Sequence, residues 1–294
     1  MPAAVRAGHR LYYRDVGAAL GDAAPVLLLM GLGGSGRLWW RLEPHLVAEH
    51  RLLVPDGLGT GRSDRLRGPL SMGGMVADVL AVLDAARVPR AHVVGTSLGG
   101  MLAQQVALAA PDRVASLVLT ATTAIGRGTL LGLPWRSAVL GAARPVLGHA
   151  ATVQRLVPTL YGPRTIAEHP ERIAEDMRHR RQDATPAATA AAQLAVAARH
   201  DVRRRLRELG DRPVTVLHGS ADALIDVRHG RALAAGIPGS RWGMIEGAGH
   251  LLLTDAEEDV ARAVVRHLSG AEAADGAAPP ARPVRSDARP GRPR

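Results

Sequence analysis

The sequence predicts an α/β fold, with a mostly parallel central sheet, helices on both faces and an inserted helical block. Three observations carry this. Short apolar runs alternate with segments of helical periodicity before about residue 125, and alternate again from 213 onward. Two of the runs are almost continuously apolar, as expected of parallel strands buried on both faces. From Gly126 to Arg212 the alternation stops, and only helical patterns remain.

In chain order, Arg10–Val16 reads as a first strand, followed by a Gly/Ala-rich turn. Val26–Met30 is a purely apolar run between Pro25 and Gly31, and it leads into the glycine-rich Gly31–Gly36. Leu38–Glu49, with Trp39 and Trp40, has an amphipathic helical pattern, and Arg51–Pro55 is another short strand. The loop Asp56–Asp64 holds three glycines, at 57, 59 and 61. Ser71–Ala86 is helical, with Met75, Val79, Val82 and Leu83 on one face and Asp78 and Asp84 expected off it. A β-branched run ending at Thr96 precedes an Ala-rich helix, and Ser116–Thr120 is the next strand. The inserted block offers helices over Leu140–Leu156, Arg164–Asp183 and Pro186–Leu209, and is most simply a cap. Strands at Val214–Leu217 and Arg241–Ile245 then alternate with helices at Asp226–Ala235 and Asp255–Leu268. The expected division is a core of residues 1–125 and 213–269, a cap of 126–212 and a disordered tail of 270–294, the last dense in Pro, Ala and Arg without apolar periodicity.

Composition excludes several classes of function. At 294 residues, 47% hydrophobic and 22% charged, the chain is expected to be soluble and globular. No cysteine is present, which removes disulfides, thiolate metal sites and cysteine nucleophiles. The net charge of +10 comes from arginine alone, alongside abundant Ala, Gly and Pro. That bias is compositional and is no sign of a nucleic-acid partner, and an aromatic content of 2% leaves no base-stacking platform. Neither a signal peptide nor a membrane span is visible, so a cytoplasmic location is expected. The glycine loops lack a P-loop lysine and the dinucleotide spacing, and no metal motif appears, so no cofactor is expected.

The stretch Gly95-Thr96-Ser97-Leu98-Gly99-Gly100 joins a strand to a helix. Gly95 and Gly99 leave room for the two backbones to approach closely. The turn raises the Ser97 hydroxyl clear of the sheet edge and sets the Leu98 N–H at a helix start, where it can face developing negative charge. Three more loops follow predicted strands: Gly31-Leu32-Gly33, His218-Gly219-Ser220-Ala221-Asp222 and Gly247-Ala248-Gly249-His250. A hydroxyl, a carboxylate and an imidazole thus stand at strand ends, where parallel sheets carry their chemistry.

The four loops together resemble the α/β-hydrolase family over about Leu11–Leu268, and Asp56–Ser63 is similar to the family's Asp-x-x-Gly-x-Gly-x-Ser stretch. The resemblance implies that Ser97 is a nucleophile, His250 its general base and acid, and Asp222 the group orienting His250. It further implies that the N–H groups of Leu32 and Leu98 form an oxyanion hole. Met30 stands where the family commonly has histidine, as in capped methylesterases of polyketide tailoring. The family spacing Gly-x-x-Asp selects Asp222 over Asp226, which remains a helix-start carboxylate. His218 and Asp56 are expected to be structural, Trp39, Trp40 and Trp135 to pack, and Arg178–Arg181 to form a solvated helix face, with anion binding as an alternative. The expected activity is hydrolysis of a carboxylic ester, thioester or lactone of a bulky apolar small molecule. The alternatives are acyl transfer or peracid formation by the same triad, or a non-catalytic binding protein on this scaffold.

Overall fold

The computed structural model describes residues 2–17, 23–127 and 156–276. Its strands are β1 (Ala3–Arg6), β2 (His9–Val16), β3 (Val26–Leu29), β4 (Leu52–Pro55), β5 (Ala91–Thr96), β6 (Val114–Thr120), β7 (Val214–Gly219) and β8 (Arg241–Ile245). They form one sheet in the order β1-β2-β4-β3-β5-β6-β7-β8. β1 and β2 pair antiparallel, as do β2 and β4, whereas β3 to β8 all run parallel to one another. Every residue of β3 and β6 is buried, as near-continuous apolar strands covered on both faces must be.

The helices are α1 (Met72–Ala85), α2 (Leu98–Ala109), α3 (Pro163–Glu168), α4 (Pro170–Gln182), α5 (Ala187–Arg199), α6 (Val227–Gly236), α7 (Leu252–Asp255) and α8 (Glu257–Gly276). Leu83, Val106 and Leu233, from α1, α2 and α6, fill the core on one face of the sheet, with Val93 and Leu117 of the strands. Trp39, Leu42 and Leu46 join Val264 and Leu268 of α8 on the other face, against Val26 and Leu28. Between β6 and β7 the described residues are mostly helical, with α3, α4, α5 and a 3-10 segment over Arg203–Asp211. Among the described residues no helix is long and apolar enough to cross a membrane.

Several elements depart from the sequence reading, each for a local reason. β1 lies before the expected first strand, turning through Ala7 (φ 48°) and Gly8 (φ 77°) into β2. Its Arg6 ion-pairs with Asp78, which is therefore buried on α1 and not off its buried face. The pattern over Leu38–Glu49 forms two short 3-10 turns, Gly36–Trp39 and Glu43–His45, because Pro44 supplies no N–H to a longer helix. Trp39, Leu42 and Leu46 are nevertheless fully buried, so the pattern marked the core correctly. Pro170 likewise divides the expected helix over 164–183 into α3 and α4.

At the C-terminal end, α8 continues to Gly276, past Gly270, where the tail was expected to begin. Ala271 is 3% exposed and Glu272 lies 3.5 Å from His50, so packing extends the helix beyond its periodic residues. The predicted helix over Leu140–Leu156 and Trp135 lie outside the described residues, apart from Leu156 at the block's resumption. Truncation after Gly270 should lower Tm by about 2–4 °C relative to truncation after Gly276, the effect of losing about 1 kcal/mol in a domain of this size. Equal melting temperatures for the two truncations would show that the final turns of α8 add nothing.

Candidate active site

β5 ends at Thr96, and α2 begins at Leu98, leaving a single residue for the turn. That residue, Ser97, has φ 54° and ψ −119°, a conformation L-residues avoid unless their surroundings enforce it. The enforcement is visible on both sides. A Cβ on Gly95 would meet the Gly99 and Gly100 backbone, and one on Gly99 would fall onto the Leu29 carbonyl. The Ser97 N–H donates to the Thr120 carbonyl at 2.9 Å, and the Ser97 carbonyl accepts from Thr122 Oγ1 at 2.7 Å.

Ser97 Oγ lies 3.0 Å from His250 Nε2, and His250 Nδ1 lies 2.9 Å from Asp222 Oδ2. A carboxylate only accepts, so the Nδ1–H donates to Asp222 and Nε2 is left to accept from the serine hydroxyl. The Asp222 side chain is fully buried. Its Oδ1 accepts from the N–H groups of Leu224 (2.9 Å) and Ile225 (2.8 Å), and its Oδ2 also lies 3.1 Å from His218 Nε2. Burial alone would raise the Asp222 carboxyl pKa, but the charge and hydrogen bonding of His250 and His218 outweigh it, and the group is held below the usual carboxylate range. His218 also contacts the Ile225 carbonyl through Nε2, at 2.7 Å, so that nitrogen carries the hydrogen and supports Asp222. Asp226 instead accepts from the Arg228 N–H at the start of α6, at 2.9 Å, with its side chain half exposed. The structure therefore brings Ser97, His250 and Asp222 together and leaves Asp226 as a helix cap.

The loop after β3 lies against the same turn. A Cβ at Gly31 would stand 3.1 Å from the Ser97 Cβ, which sets the backbone leading to Leu32 beside the hydroxyl. The loop is held largely by groups that sequence reasoning did not single out. The Gly33 N–H donates to Gln193 Oε1 of α5 at 2.8 Å, and Thr185 Oγ1 donates to the Gly33 carbonyl at 3.0 Å. Asp183 accepts from Ser35 Oγ (3.0 Å) and Arg37 Nε (2.8 Å). The Gly36 N–H donates to Asp56 at 2.7 Å, and Asp56 also accepts from the Arg62 N–H, so this buried acid is a loop organiser as expected. Asp255, at the end of α7, accepts from the N–H groups of Gly249 (2.7 Å) and Gly162 (2.8 Å), tying the His250 loop to the helical block. Only the partners of these groups, far apart in sequence, distinguish them from ordinary surface residues.

In α4, His179 stacks on Trp40 with ring centroids 4.6 Å apart, and the Arg41 guanidinium lies over the same indole. Arg41 is buried among Glu175, Asp176 and Glu257. The Arg178–Arg181 stretch thus meets the core through His179 and is not a wholly solvated face. Among the described residues no group of three or more His, Asp or Glu side chains is arranged to hold a metal ion.

Residues 24–257 match the family model described as the alpha/beta hydrolase fold. A protein of Azorhizobium caulinodans named "Putative carbamate hydrolase RutD" is 34% identical over 251 residues, spanning 85% of this chain and 91% of its own. The structure of a thermophilic esterase from Thermogutta terrifontis superposes with a TM-score of 0.78 at 28% identity, covering 92% of this chain and 97% of that one. Est816, described as an N-acyl homoserine lactone degrading enzyme, gives a TM-score of 0.75 at 25% identity, over 90% and 99% of the two chains.

A second serine–histidine arrangement lies deeper in the sheet. His92 Nδ1 is 2.7 Å from Ser116 Oγ, His267 Nε2 is 2.8 Å from the same oxygen, and His267 Nδ1 is 2.8 Å from Thr215 Oγ1. His92 and Ser116 are register partners near the starts of β5 and β6, away from the edge that carries Ser97, and Ser116 is fully buried. We read this chain as structural. Burial, reinforced by His92 and Arg241, pushes the His267 pKa down to about 4. Burial does the same to His200, also down to about 4. The unfolded chain therefore binds protons that the fold refuses, and stability falls as pH drops from about 6.5 toward 4. Asp56, Asp78 and Asp255, whose pKa values burial raises, act in the opposite sense at the acid end. In His267→Asn the slope of unfolding free energy against pH over this window should be smaller by about 1 kcal/mol per pH unit. An unchanged slope would remove His267 from the account.

Proposed function

The chain belongs to the α/β-hydrolase family, and from that membership we propose that it is a serine hydrolase cleaving a carboxylic ester of a bulky, largely apolar small molecule. The observation that carries the reading is the hydrogen-bonded run from Ser97 Oγ through His250 to a buried Asp222, set on the strained turn after β5.

A serine hydroxyl is a weak nucleophile at neutral pH, so His250 Nε2 takes its proton as Oγ attacks the carbonyl carbon. Asp222 fixes the imidazole tautomer and stabilises the imidazolium that forms. The carbonyl oxygen becomes an oxyanion between the N–H groups of Leu98 and Leu32, the first of them at the start of α2. As the tetrahedral intermediate collapses, the bond to the leaving oxygen breaks and His250 gives that oxygen its proton. Water, deprotonated by His250, then attacks the acyl-enzyme, releasing the acid and restoring Ser97.

A small cavity, partly open to solvent, reaches Gly31 and Leu98 and is lined by Leu58, Leu70, Met75 and Val79. Its apolar wall suits an aliphatic acyl group. The named substrates of the relatives, a carbamate and an N-acyl homoserine lactone, share with esters a carbonyl carbon bearing a heteroatom leaving group. We assign the described residues of the expected cap, 126–212, to a cap beside this site, because Asp183, directly after α4, and Gln193 of α5 hold the Leu32 loop.

Against p-nitrophenyl esters, Asp222→Asn should lose about 10³–10⁴-fold in kcat, as triads do when the tautomer is wrong. Asp226→Asn should lose less than about tenfold, since a cap exchanged for another good cap costs little. In oxygen-18 water a single turnover should put label in the released acid. The reverse ranking of the two variants would overturn the assignment of Asp222, and unlabelled acid would overturn hydrolysis through an acyl-enzyme.

A further inference from the structure

Gln193 is 5% exposed and lies on α5, in the helical block, far in sequence from every residue of the catalytic line. Its side-chain amide is held at one end only. Gly33 N–H is a donor, so the atom it meets at 2.8 Å must be the amide oxygen. The nitrogen, with two hydrogens, therefore points away from that bond, and it has no hydrogen-bond partner among the described residues. Gln193 lines the same cavity as Gly31 and Leu98. An amide N–H₂ facing a mostly apolar cavity is costly unless the occupant supplies an acceptor.

Resting on the serine-hydrolase reading, we propose that Gln193 is a specificity-determining residue that donates from its side-chain nitrogen to an uncharged oxygen on the acyl portion of the substrate. Position identifies the acyl portion. Neither Ser97 nor any residue of the His250 loop lines this cavity, but Gly31, whose Cβ position would stand 3.1 Å from the Ser97 Cβ, and Leu98, directly after Ser97, do, whereas His250 must face the leaving group to protonate it. What enters the cavity is thus joined to the carbonyl carbon on the side away from the leaving oxygen. Charge identifies the oxygen as a keto, hydroxyl or ether group. Asp56 and Asp78 line the same cavity with their carboxyls already engaged, by Gly36 and Arg62 N–H groups and by Arg6 respectively, so a substrate carboxylate would meet two acids and no basic side chain among the described lining residues.

Substitution separates the two ends of the amide. Gln193→Glu keeps an oxygen for Gly33 N–H and removes the donor, whereas Gln193→Met removes both without adding charge. The probes are p-nitrophenyl hexanoate and analogues carrying one keto, hydroxyl or ether oxygen at chain positions 3 to 5. Intrinsic reactivity cancels when each analogue's kcat/KM relative to hexanoate is compared between wild type and variant. For at least one analogue that ratio should fall about five- to tenfold in Gln193→Glu, the worth of one neutral hydrogen bond, and any change in kcat/KM for hexanoate itself cancels in the ratio. Gln193→Met should lose the same preference and also lower kcat on hexanoate, because Gly33 loses its acceptor. Ratios that do not move in either variant overturn the proposal. A fluorophosphonate probe run in parallel separates the two readings. Wild type that is not labelled at Ser97 removes the serine-hydrolase reading and this proposal with it, whereas labelled variants with unmoved ratios remove this proposal alone.

Discussion

One residue is held where L-amino acids seldom sit, and the site is built outward from it. Ser97 has to turn the chain from β5 into α2 within a single residue, at φ 54°. Such a conformation costs on the order of 1–3 kcal/mol and persists only where the surroundings over-determine it. Here they do: strand and helix meet through Gly95 and Gly99, and the serine backbone is bonded to Thr120 and Thr122 of the adjacent strand and its exit. The strain is therefore stored in a rigid part of the sheet, and the hydroxyl it projects does not need to be found by motion.

A fixed hydroxyl obliges its partners to come to it, and parallel topology supplies the means. With β3, β5, β6, β7 and β8 aligned, their following loops open at one edge, and Gly31, Ser97, Asp222 and His250 converge there from four loops. The carboxylate is the demanding member of this set. Buried without partners it would take up a proton, but two N–H donors and two imidazoles keep it ionised. His218, itself fully buried, thus acts on the site only through Asp222. The helical block completes the edge by gripping the Leu32 loop through Gln193, Thr185 and Asp183, so a change in that block is felt in the loop beside Ser97.

The fold and the hydrogen-bonded run of Ser97, His250 and Asp222 were legible in the sequence because both are written in short local patterns. The Gly-x-Ser-x-Gly turn, the apolar strands and the loops placing Asp222 and His250 each need only a few adjacent residues. What escaped depends on distant pairing. Asp78 looked like an exposed helix acid until β1 brought Arg6 to it. Gln193, Thr185 and Asp255 carry no local signature, since their partners lie at Gly33 and Gly249. Leu38–Glu49 shows a different failure: the apolar spacing identified the buried side chains, but Pro44 prevented the helix that spacing suggested. The end of α8 was misjudged because Ala271 and Glu272 extend the helix by packing and pairing, without an apolar period.

The central claim is that Ser97 Oγ becomes covalently acylated during turnover. Rapid acid quench of the enzyme with an activated ester, followed by peptide mass mapping, tests it directly. The account predicts one acyl adduct, on the peptide containing Ser97, formed and lost at rates consistent with turnover. An adduct on another residue, Ser116 included, or steady turnover with no adduct on Ser97, would contradict it.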